Sequence, residues 1–262
     1  MITAGIDCGA KNTKTVILKD GKIIGKCSVP TGFEQAKTVR ESLDRALTDA
    51  HLTREQLDHI GGTGSGAKSI KEADIKVNDI KAMVMAAHFF FPKARTVADV
   101  GAEEARASKC DDAGNVLDFA INDKCAAGAG AFIEAMGRAL ETPLADLGTL
   151  ALSSNNSISL NAQCTIFAES EVVGLIHANT EKKDISKAIL DAMANRIVSM
   201  MRRIGVNPDI VIMGGVANNP GFVTALQMEL GIDRIYIPEG PEFGAAVGAA
   251  AVAAEANSQS KK

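Results

Sequence analysis

Gly-Ile-Asp-Cys-Gly at residues 5–9 ends the first predicted strand in an Asp-x-Gly turn, and Ala-Asp-Val-Gly at residues 98–101 ends a later strand in the same way. Each copy opens a strand pair and is followed by a helix-rich stretch. Asp-x-Gly is common in turns, so either copy alone is better explained as an ordinary turn. Two copies in matching contexts indicate an internal repeat of a three-strand-plus-helices unit, which favours two similar lobes around a cleft.

Hydrophobic periodicity predicts alternating strands and helices, which makes the chain an α/β protein. In the first half, the dipeptide Asp20-Gly21 predicts a tight hairpin turn. Pro92 closes the last helix predicted there. The predicted strands cover residues 3–7, 15–18, 22–27 and 60–64, and the predicted helices cover residues 36–50 and 75–91.

The strand pattern then restarts in the second half of the chain. Predicted strands cover residues 95–100, a pair around the turn at 112–115, residues 209–213 and residues 234–237. Predicted helices cover residues 129–140, 165–177 and 185–204, one stretch after residue 215, and an Ala-rich C-terminal stretch. We therefore expect a first ribonuclease-H-like lobe at residues 1–94 and a second at residues 95–262, with the last helix packing back on the first lobe.

Composition argues against several classes of partner. The chain has 262 residues, a formal net charge of −4 and a hydrophobic content of 46%. A nucleic-acid binder needs clustered Lys and Arg to neutralise phosphates, and the negative net charge of this chain argues against such a function. Since no apolar run approaches the roughly 20 residues of a membrane span, and the first residues lack a basic and apolar leader, we expect a cytoplasmic protein.

A glycine-rich stretch follows the first Asp-x-Gly turn. Residues 9–14 read Gly-Ala-Lys-Asn-Thr-Lys and offer backbone N–H groups, the hydroxyl of Thr13 and two ammonium groups to a phosphate. A carboxylate beside phosphates is repelled unless a cation lies between them. Asp7 is therefore predicted to hold Mg²⁺, through water.

The second Asp-x-Gly turn offers matching carboxylates. Asp99 and Glu103 could hold the same ion or orient a water for attack on a γ-phosphate. The alternative is that Asp7 and Asp99 form turns and Glu103 is a surface charge. The residue pattern alone does not decide between an ion-binding site and ordinary turns.

A sharper signal is the apolar strand that ends in Gly214-Gly215 and leads into a helix with Asn218 near its start. Two adjacent glycines let a flat base lie against the backbone. No GxxxxGK[ST] sequence occurs in the chain, so this is not a Walker-type phosphate loop.

The chain has five cysteines and no CxxC pair. Cys125 and Cys164 each stand just ahead of a predicted helix, where the partial positive charge of the helix favours a thiolate. An iron–sulfur cluster usually needs four thiolates, which a two-fold dimer could supply. The spacing also fits two unrelated buried cysteines. Cys8, Cys27 and Cys110 show no pattern of metal ligation.

Five segments occur in order along nearly the whole chain: Gly-Ile-Asp-x-Gly at 5–9, Asp-Val-Gly at 99–101, Asn-Asp-Lys-Cys-Ala-Ala-Gly-x-Gly at 122–130, Cys-Thr-x-Phe-Ala-Glu-Ser-Glu-Val at 164–172 and Gly-Gly-Val-Ala at 214–217. Together they closely resemble the ATP-dependent activator family of 2-hydroxyacyl-CoA dehydratases, which also includes the ATPase subunits of benzoyl-CoA reductase. The blocks around the two cysteines are highly specific.

The resemblance implies an α/β fold of two ribonuclease-H-like lobes around a nucleotide cleft, of the acetate-kinase, Hsp70 and actin type. It implies a dimer with one 4Fe–4S cluster held by Cys125 and Cys164 of both subunits, with ATP or ADP and Mg²⁺ in each cleft. ATP hydrolysis changes the angle between the helices that begin at the cluster. An electron from ferredoxin or flavodoxin is thereby passed to a partner iron–sulfur reductase or dehydratase.

The resemblance also assigns site residues. Asp7, Asp99 and Glu103 would be catalytic, with Asp7 and Asp99 holding Mg²⁺ through water. The nucleotide would be bound by the two loops, the start of a helix and the strand-end glycines: Gly9, Ala10, Lys11, Asn12, Thr13, Lys14, Gly101, Ala102, Gly128, Gly130, Gly214, Gly215, Val216 and Asn218.

Two loops depart from the family pattern. Ala10 and Lys11 replace a Ser-Thr pair, and Glu103 and Glu104 replace a Gln-Asp pair. Glutamates still hold Mg²⁺ or water, but a neutral hydrogen-bonding amide is lost, which leaves the rate of ATP hydrolysis open. These changes favour a benzoyl-CoA-reductase-type subunit, paired with a homologous chain, over a homodimeric dehydratase activator.

Two further functions are compatible with the same fold. One is a small-molecule kinase without a cluster, which would transfer phosphate to its substrate. The other is an ATP-binding assembly subunit that does not hydrolyse the nucleotide.

Overall fold

The computed structural model describes residues 1–122, 129–160 and 164–259. By contact, the chain divides into two compact units. The first comprises residues 1–97, residues 110–117 and the C-terminal stretch from residue 243, and the second comprises residues 98–109 and 118–242.

The first unit is built on a five-stranded sheet with the order β3-β2-β1-β4-β5. The first three strands form an antiparallel meander, whereas β4 pairs in parallel with β1, and β5 with β4. The hairpin predicted at Asp20-Gly21 is confirmed, and both residues have positive φ, as a tight two-residue turn requires. The strands are β1 (Ile2–Cys8), β2 (Asn12–Lys19), β3 (Lys22–Pro30), β4 (His59–Thr63) and β5 (Ile75–Lys76).

A four-stranded sheet with the order β8-β7-β6-β9 follows in the second half of the chain. Its strands are β6 (Thr96–Val100), β7 (Ala105–Cys110), β8 (Val116–Asn122) and β9 (Ile210–Met213). The strand predicted at residues 234–237 is reduced to a single parallel bridge between Val211 and Tyr236. The helices are α1 (Gln35–Asp49), α2 (Asp79–Phe90), α3 (Gly130–Ala139), α4 (Leu144–Leu152), α5 (Thr165–His177), α6 (Lys182–Ile204), α7 (Pro220–Leu230) and α8 (Gly244–Gln259).

The helix predicted at residues 75–91 begins four residues later than expected. Ile75 and Lys76 pair with β4 as a short strand instead. Asn78 then caps α2, because its side chain accepts a hydrogen bond from the N–H of Ile80. The apolar periodicity of the segment does not separate this short strand from the helix that follows it.

The small side chains of α8 permit unusually close packing inside the first unit. A Cβ on Gly5 of β1 would lie 1.9 Å from the carbonyl oxygen of Ala246, and a Cβ on Gly61 of β4 would lie 2.2 Å from that of Ala249. A Cβ on Gly248 would meet the carbonyl of Ala82 in α2. The Ala-rich composition of this helix therefore reflects backbone contact with the sheet and with α2.

The core of the second unit surrounds the long helix α6. Ile185, Ile189 and Met193 of α6 are fully buried, together with Phe132 of α3 and Phe222 of α7. Helix α4, which the sequence analysis missed, contributes Leu147 to this core. Within the described ranges, no helix is both long and apolar enough to cross a lipid bilayer.

Candidate functional site

The first loop leaves the sheet where β1 ends, and two of the predicted site residues meet there. The N–H of Gly9 donates to the carbonyl of Asn12 at 3.2 Å, which closes the turn. The carboxylate of Asp7 is almost buried, and its Oδ2 lies 3.0 Å from the Lys14 ammonium. The ammonium also donates to the Asn12 carbonyl at 3.3 Å. Asp7 therefore already has a cationic partner within its own unit.

Gly64, which follows β4, is a residue that the sequence analysis did not assign to the site. Its φ is +97°, and a Cβ there would lie 2.4 Å from Oδ1 of Asp7. Its N–H donates to Oδ1 of Asp79 at 2.7 Å, as does the Thr63 hydroxyl. Only glycine lets the backbone at residue 64 lie this close to Asp7, so the carboxylate of Asp7 packs directly against backbone atoms.

Thr13 does not offer its hydroxyl to a phosphate as expected. The residue is fully buried, and its Oγ1 lies 3.0 Å from the Thr31 hydroxyl and 3.6 Å from Sγ of Cys8. Burial raises the pKa of the Cys8 thiol above its ordinary value. Ala10 and Lys11, in contrast, are exposed at the tip of the loop.

The second loop repeats this geometry in the second unit. The N–H of Gly101 donates to the carbonyl of Glu104 at 2.9 Å, as Gly9 does to Asn12. Gly214, after β9, has a φ of +88°, and a Cβ there would lie 2.4 Å from Oδ1 of Asp99. Each unit thus places an aspartate at the end of a strand against a glycine of positive φ.

The N-terminus of α3 is bonded to this second loop. The N–H of Gly130 donates to the carbonyl of Gly101, and that of Ala131 to the carbonyl of Ala102, each at 2.8 Å. A Cβ on Gly130 would lie 3.2 Å from a methyl group of Val216. Four predicted nucleotide contacts therefore lie together in the second unit: Gly101, Ala102, Gly130 and Val216.

The two glutamates of the second loop have different surroundings. Glu103 is exposed, whereas Glu104 forms an ion pair with Arg106. Of these two, Glu103 has the accessible carboxylate.

The glycine turn after β9 is open where a flat ligand was expected. A single 3-10 turn covers Gly215–Asn218, and an added Cβ on Gly215 would meet nothing within 4 Å. The N–H of Gly214 donates to the carbonyl of Pro241 at 2.9 Å. The Asn218 amide donates to Oε2 of Glu242 at 3.0 Å, which adds Glu242 to the residues around this turn.

Cys164 is the residue that immediately precedes α5, and its side chain is partly exposed. Its carbonyl accepts from the N–H of Ala168 at 3.0 Å, and the residue stands at the positive end of a helix whose first turn has no acidic residue. Ile166 and Phe167, in the first turn, are 71% and 64% exposed. Cys125 and Gly128 lie outside the described residues.

The remaining cysteines are placed elsewhere. Cys8 and Cys110 are buried, and Cys27 is partly buried on β3. The thiol of Cys110 lies 3.4 Å from the carbonyl of Ala94 and 3.6 Å from Nε2 of His88, and burial raises its pKa to about 11. Among residues 1–122, 129–160 and 164–259, no three His, Cys, Asp or Glu side chains group as metal ligands.

Comparison with known proteins relates nearly the whole chain to one family. Residues 4–253 match the model of the BadF/BadG/BcrA/BcrD ATPase family. The chain is 34% identical to the 2-hydroxyisocaproyl-CoA dehydratase activator of Clostridioides difficile, over 100% of the chain and 98% of that protein. It is 36% identical to the activator of lactoyl-CoA dehydratase of Anaerotignum propionicum, over 98% of each.

Identity to a reductase subunit is lower. The chain is 26% identical to a benzoyl-CoA reductase subunit of Thauera aromatica, over 95% of the chain and 92% of that protein.

Solved structures support the same relationship. The (R)-2-hydroxyglutaryl-CoA dehydratase component from Acidaminococcus fermentans matches with a TM-score of 0.94 and 33% identity, over 98% of this chain and 99% of that one. The Clostridium difficile activator with bound ADPNP matches with a TM-score of 0.92 and 34% identity, over 100% and 97%. The predicted α/β fold of the actin and Hsp70 type is thereby confirmed.

Proposed function

Because the chain belongs to the BadF/BadG/BcrA/BcrD ATPase family, as its motifs predicted, we propose that it uses ATP hydrolysis to drive low-potential electron transfer. The electron comes from ferredoxin or flavodoxin and passes through a 4Fe–4S cluster shared by two chains. The acceptor is a partner iron–sulfur enzyme of the 2-hydroxyacyl-CoA dehydratase or benzoyl-CoA reductase type.

Nucleotide binding is supported by the two loops, each considered within its own unit. The exposed tip of the first loop offers backbone N–H groups to a phosphate, and Gly215, in the turn after β9, leaves space beside bare backbone for a base. Asp7 and Asp99 would hold Mg²⁺ through water, as carboxylates commonly do. Glu103, being exposed, is available to orient the attacking water.

Cys164 at the N-terminus of α5 carries the electron-transfer part of the proposal. A partly exposed thiol at the positive end of a helix suits a thiolate ligand of a cluster. Cys125 would be the second ligand, so that two chains together supply the four thiolates that such a cluster needs. When bound, a 4Fe–4S cluster supplies a carrier for one electron.

The surface beside Cys164 supports association of two chains. Within α5, only Ala168 and Val172 are fully buried among the described residues, whereas Ile166, Phe167 and Val173 are exposed. Clustered apolar side chains on a surface commonly mark an interface. The adjacent cysteine would then lie at the contact between two copies, or between this chain and a homologous one.

Sequence identity favours a dehydratase as the partner. The relatives with the higher identities are named as dehydratase activators, and the reductase subunit is more distant. We therefore rank a 2-hydroxyacyl-CoA dehydratase ahead of a benzoyl-CoA reductase.

The direct test is electron delivery. Anaerobically purified protein, reduced by dithionite, is mixed with an oxidised 2-hydroxyacyl-CoA dehydratase component, and its reduction is followed by absorbance with Mg-ATP, with Mg-ADPNP and without nucleotide. We expect reduction that requires ATP hydrolysis. Reduction at the same rate without nucleotide contradicts the proposal. Phosphate transfer to a small molecule by iron-free protein would establish the kinase instead.

The non-hydrolysing assembly subunit has one observation in its favour, namely the altered loops at Ala10-Lys11 and Glu103-Glu104. It predicts tight ATP binding without phosphate release until a homologous chain is added. Phosphate release by the isolated protein contradicts that alternative.

A further inference from the structure

We propose that Thr31 is a positioning residue for the first phosphate loop, residues 9–14, and that it acts by holding the carbonyl groups of the loop inside the protein. The inference rests on the proposed binding of ATP phosphates by that loop. Thr31 directly follows β3 and is buried, with 1% of its surface exposed.

Thr31 is bonded to the loop through both its side chain and its backbone. Its hydroxyl donates to the carbonyl of Gly9 at 2.7 Å, and its N–H donates to the carbonyl of Lys11 at 3.0 Å. Its own carbonyl accepts from the hydroxyl of Thr38 in α1 at 2.8 Å. One residue thus ties two points of the loop to the start of a helix.

Counting protons assigns a direction to the bond between Thr13 and Thr31. The Thr31 hydroxyl has one proton, which it gives to the Gly9 carbonyl. In the 3.0 Å contact between the two hydroxyls, Thr31 can then only accept. The single proton of Thr13 has two candidate acceptors, Thr31 at 3.0 Å and Sγ of Cys8 at 3.6 Å, and we assign it to the shorter contact. Thr13 supports the loop through Thr31, and this explains why a predicted phosphate ligand is fully buried.

The consequence for a phosphate follows from the sign of the backbone dipoles. Carbonyl oxygens repel an anion, whereas N–H groups attract it, so an anion-binding loop must direct its carbonyls elsewhere. Thr31 engages the carbonyls of Gly9 and Lys11, and the carbonyl of Asn12 is engaged by the Gly9 N–H and the Lys14 ammonium. The tip at Ala10 and Lys11 remains exposed.

In the second loop, backbone N–H groups rather than a side chain hold the carbonyl groups away from a bound anion. There the carbonyls of Gly101 and Ala102 accept from the N–H groups of Gly130 and Ala131 at the start of α3. No side chain is needed for those bonds. Among the residues that the structure describes, a side-chain hydroxyl serves the carbonyls of the first loop but not those of the second, so a substitution at Thr31 removes this support from the first loop selectively.

The test compares Thr31→Val with a matched control, Thr15→Val. Thr15, on β2, is also fully buried, and its hydroxyl lies 2.8 Å from that of Ser42, so valine removes a similar bond that does not contact the loop. Loss of one buried hydrogen bond corresponds to roughly a five- to thirtyfold effect. We expect Thr31→Val to raise the KM for ATP by about tenfold, with a smaller change in kcat, and Thr31→Ser to restore it.

Hydrogen exchange of the nucleotide-free protein provides a second readout. We expect faster exchange of the peptide covering residues 9–13 in Thr31→Val, and wild-type exchange there in Thr15→Val and Thr31→Ser. Unchanged exchange and KM in Thr31→Val, or failure of serine to restore them, overturns the inference. If the wild-type protein binds no ATP, the proposed function fails, while the exchange measurement still decides whether Thr31 orders the loop.

Discussion

At the residue scale, the structure pairs groups that sequence motifs treat one at a time. Asp7 and Lys14 were each predicted to face a nucleotide, and the structure joins them in an ion pair of 3.0 Å. Gly64 and Thr31 complete the surroundings of the first loop, yet neither belongs to a recognisable motif. Their importance depends on pairing between strands and on a buried hydrogen bond, which a linear pattern does not encode.

Gly64 should be essential for the position of Asp7. Gly64→Ala places a side chain at a φ of +97° and against Asp7 Oδ1, so we expect a loss of more than about 2 kcal/mol in the free energy of unfolding, because strain and clash add. The rate of ATP hydrolysis should fall about tenfold or more, since about 1.4 kcal/mol of lost stabilisation corresponds to tenfold.

Gly21→Ala is the matched control, because Gly21 has a φ of +74° with nothing near its Cβ position. It should lose about 1–2 kcal/mol from strain alone and keep wild-type ATP hydrolysis. Urea denaturation and a phosphate-release assay measure both quantities. Equal effects of the two substitutions on hydrolysis would refute the role of Gly64.

Cys110 should make the protein less stable in alkali. Its pKa is raised from 9.0 to about 11 by burial, so the unfolded thiol ionises at a lower pH than the folded one. The stabilisation is fully present below pH 9 and is lost as pH rises toward about 11. The fall in the free energy of unfolding over this window should be smaller in Cys110→Ala than in wild type. If the free energy of unfolding falls equally with pH in both proteins, ionisation of Cys110 is not the cause of the alkaline loss of stability.

At the scale of elements, periodicity and turn chemistry predicted most of the fold. Helix α5 has the predicted bounds, and the hairpin at Asp20-Gly21 has the predicted turn. The predictions were wrong where pairing with another part of the chain determines the secondary structure. Residues 75–76 form a strand because β4 lies beside them, and residues 234–237 form only a single bridge to β9. The sequence motifs identified Asp7, Gly9 and Gly214 as candidate site residues. They did not show that the hydroxyl of Thr13 is buried and bonded to Thr31.

The exposed face of α5 should contribute to association of two chains. Phe167→Gln removes an apolar side chain that is 64% exposed, so the fold should remain intact while the dimer weakens by about tenfold, as for the loss of an interface anchor. Leu152→Gln is the control, because Leu152 of α4 is 50% exposed in the same unit. Sedimentation velocity under anaerobic conditions measures both. Equal dimerisation of the two variants would remove α5 from the interface.

At the scale of the whole molecule, the same local arrangement of an aspartate packed against a glycine of positive φ occurs twice in the chain. Asp7 with Gly64, and Asp99 with Gly214, have the same contact of 2.4 Å between an aspartate oxygen and the position of a missing Cβ. Gly9 and Gly101 close equivalent turns. The two Asp-x-Gly turns therefore have equivalent local geometry, while the residues that support the two loops differ.

Iron content together with particle mass tests the central claim, that two chains share one cluster through Cys125 and Cys164. Protein purified anaerobically should be brown, dimeric and contain about four iron atoms per two chains. Cys164→Ser should abolish this iron, whereas Cys27→Ser, on β3, should retain it. A folded, colourless protein without iron, or a full cluster on a single chain, would contradict the account.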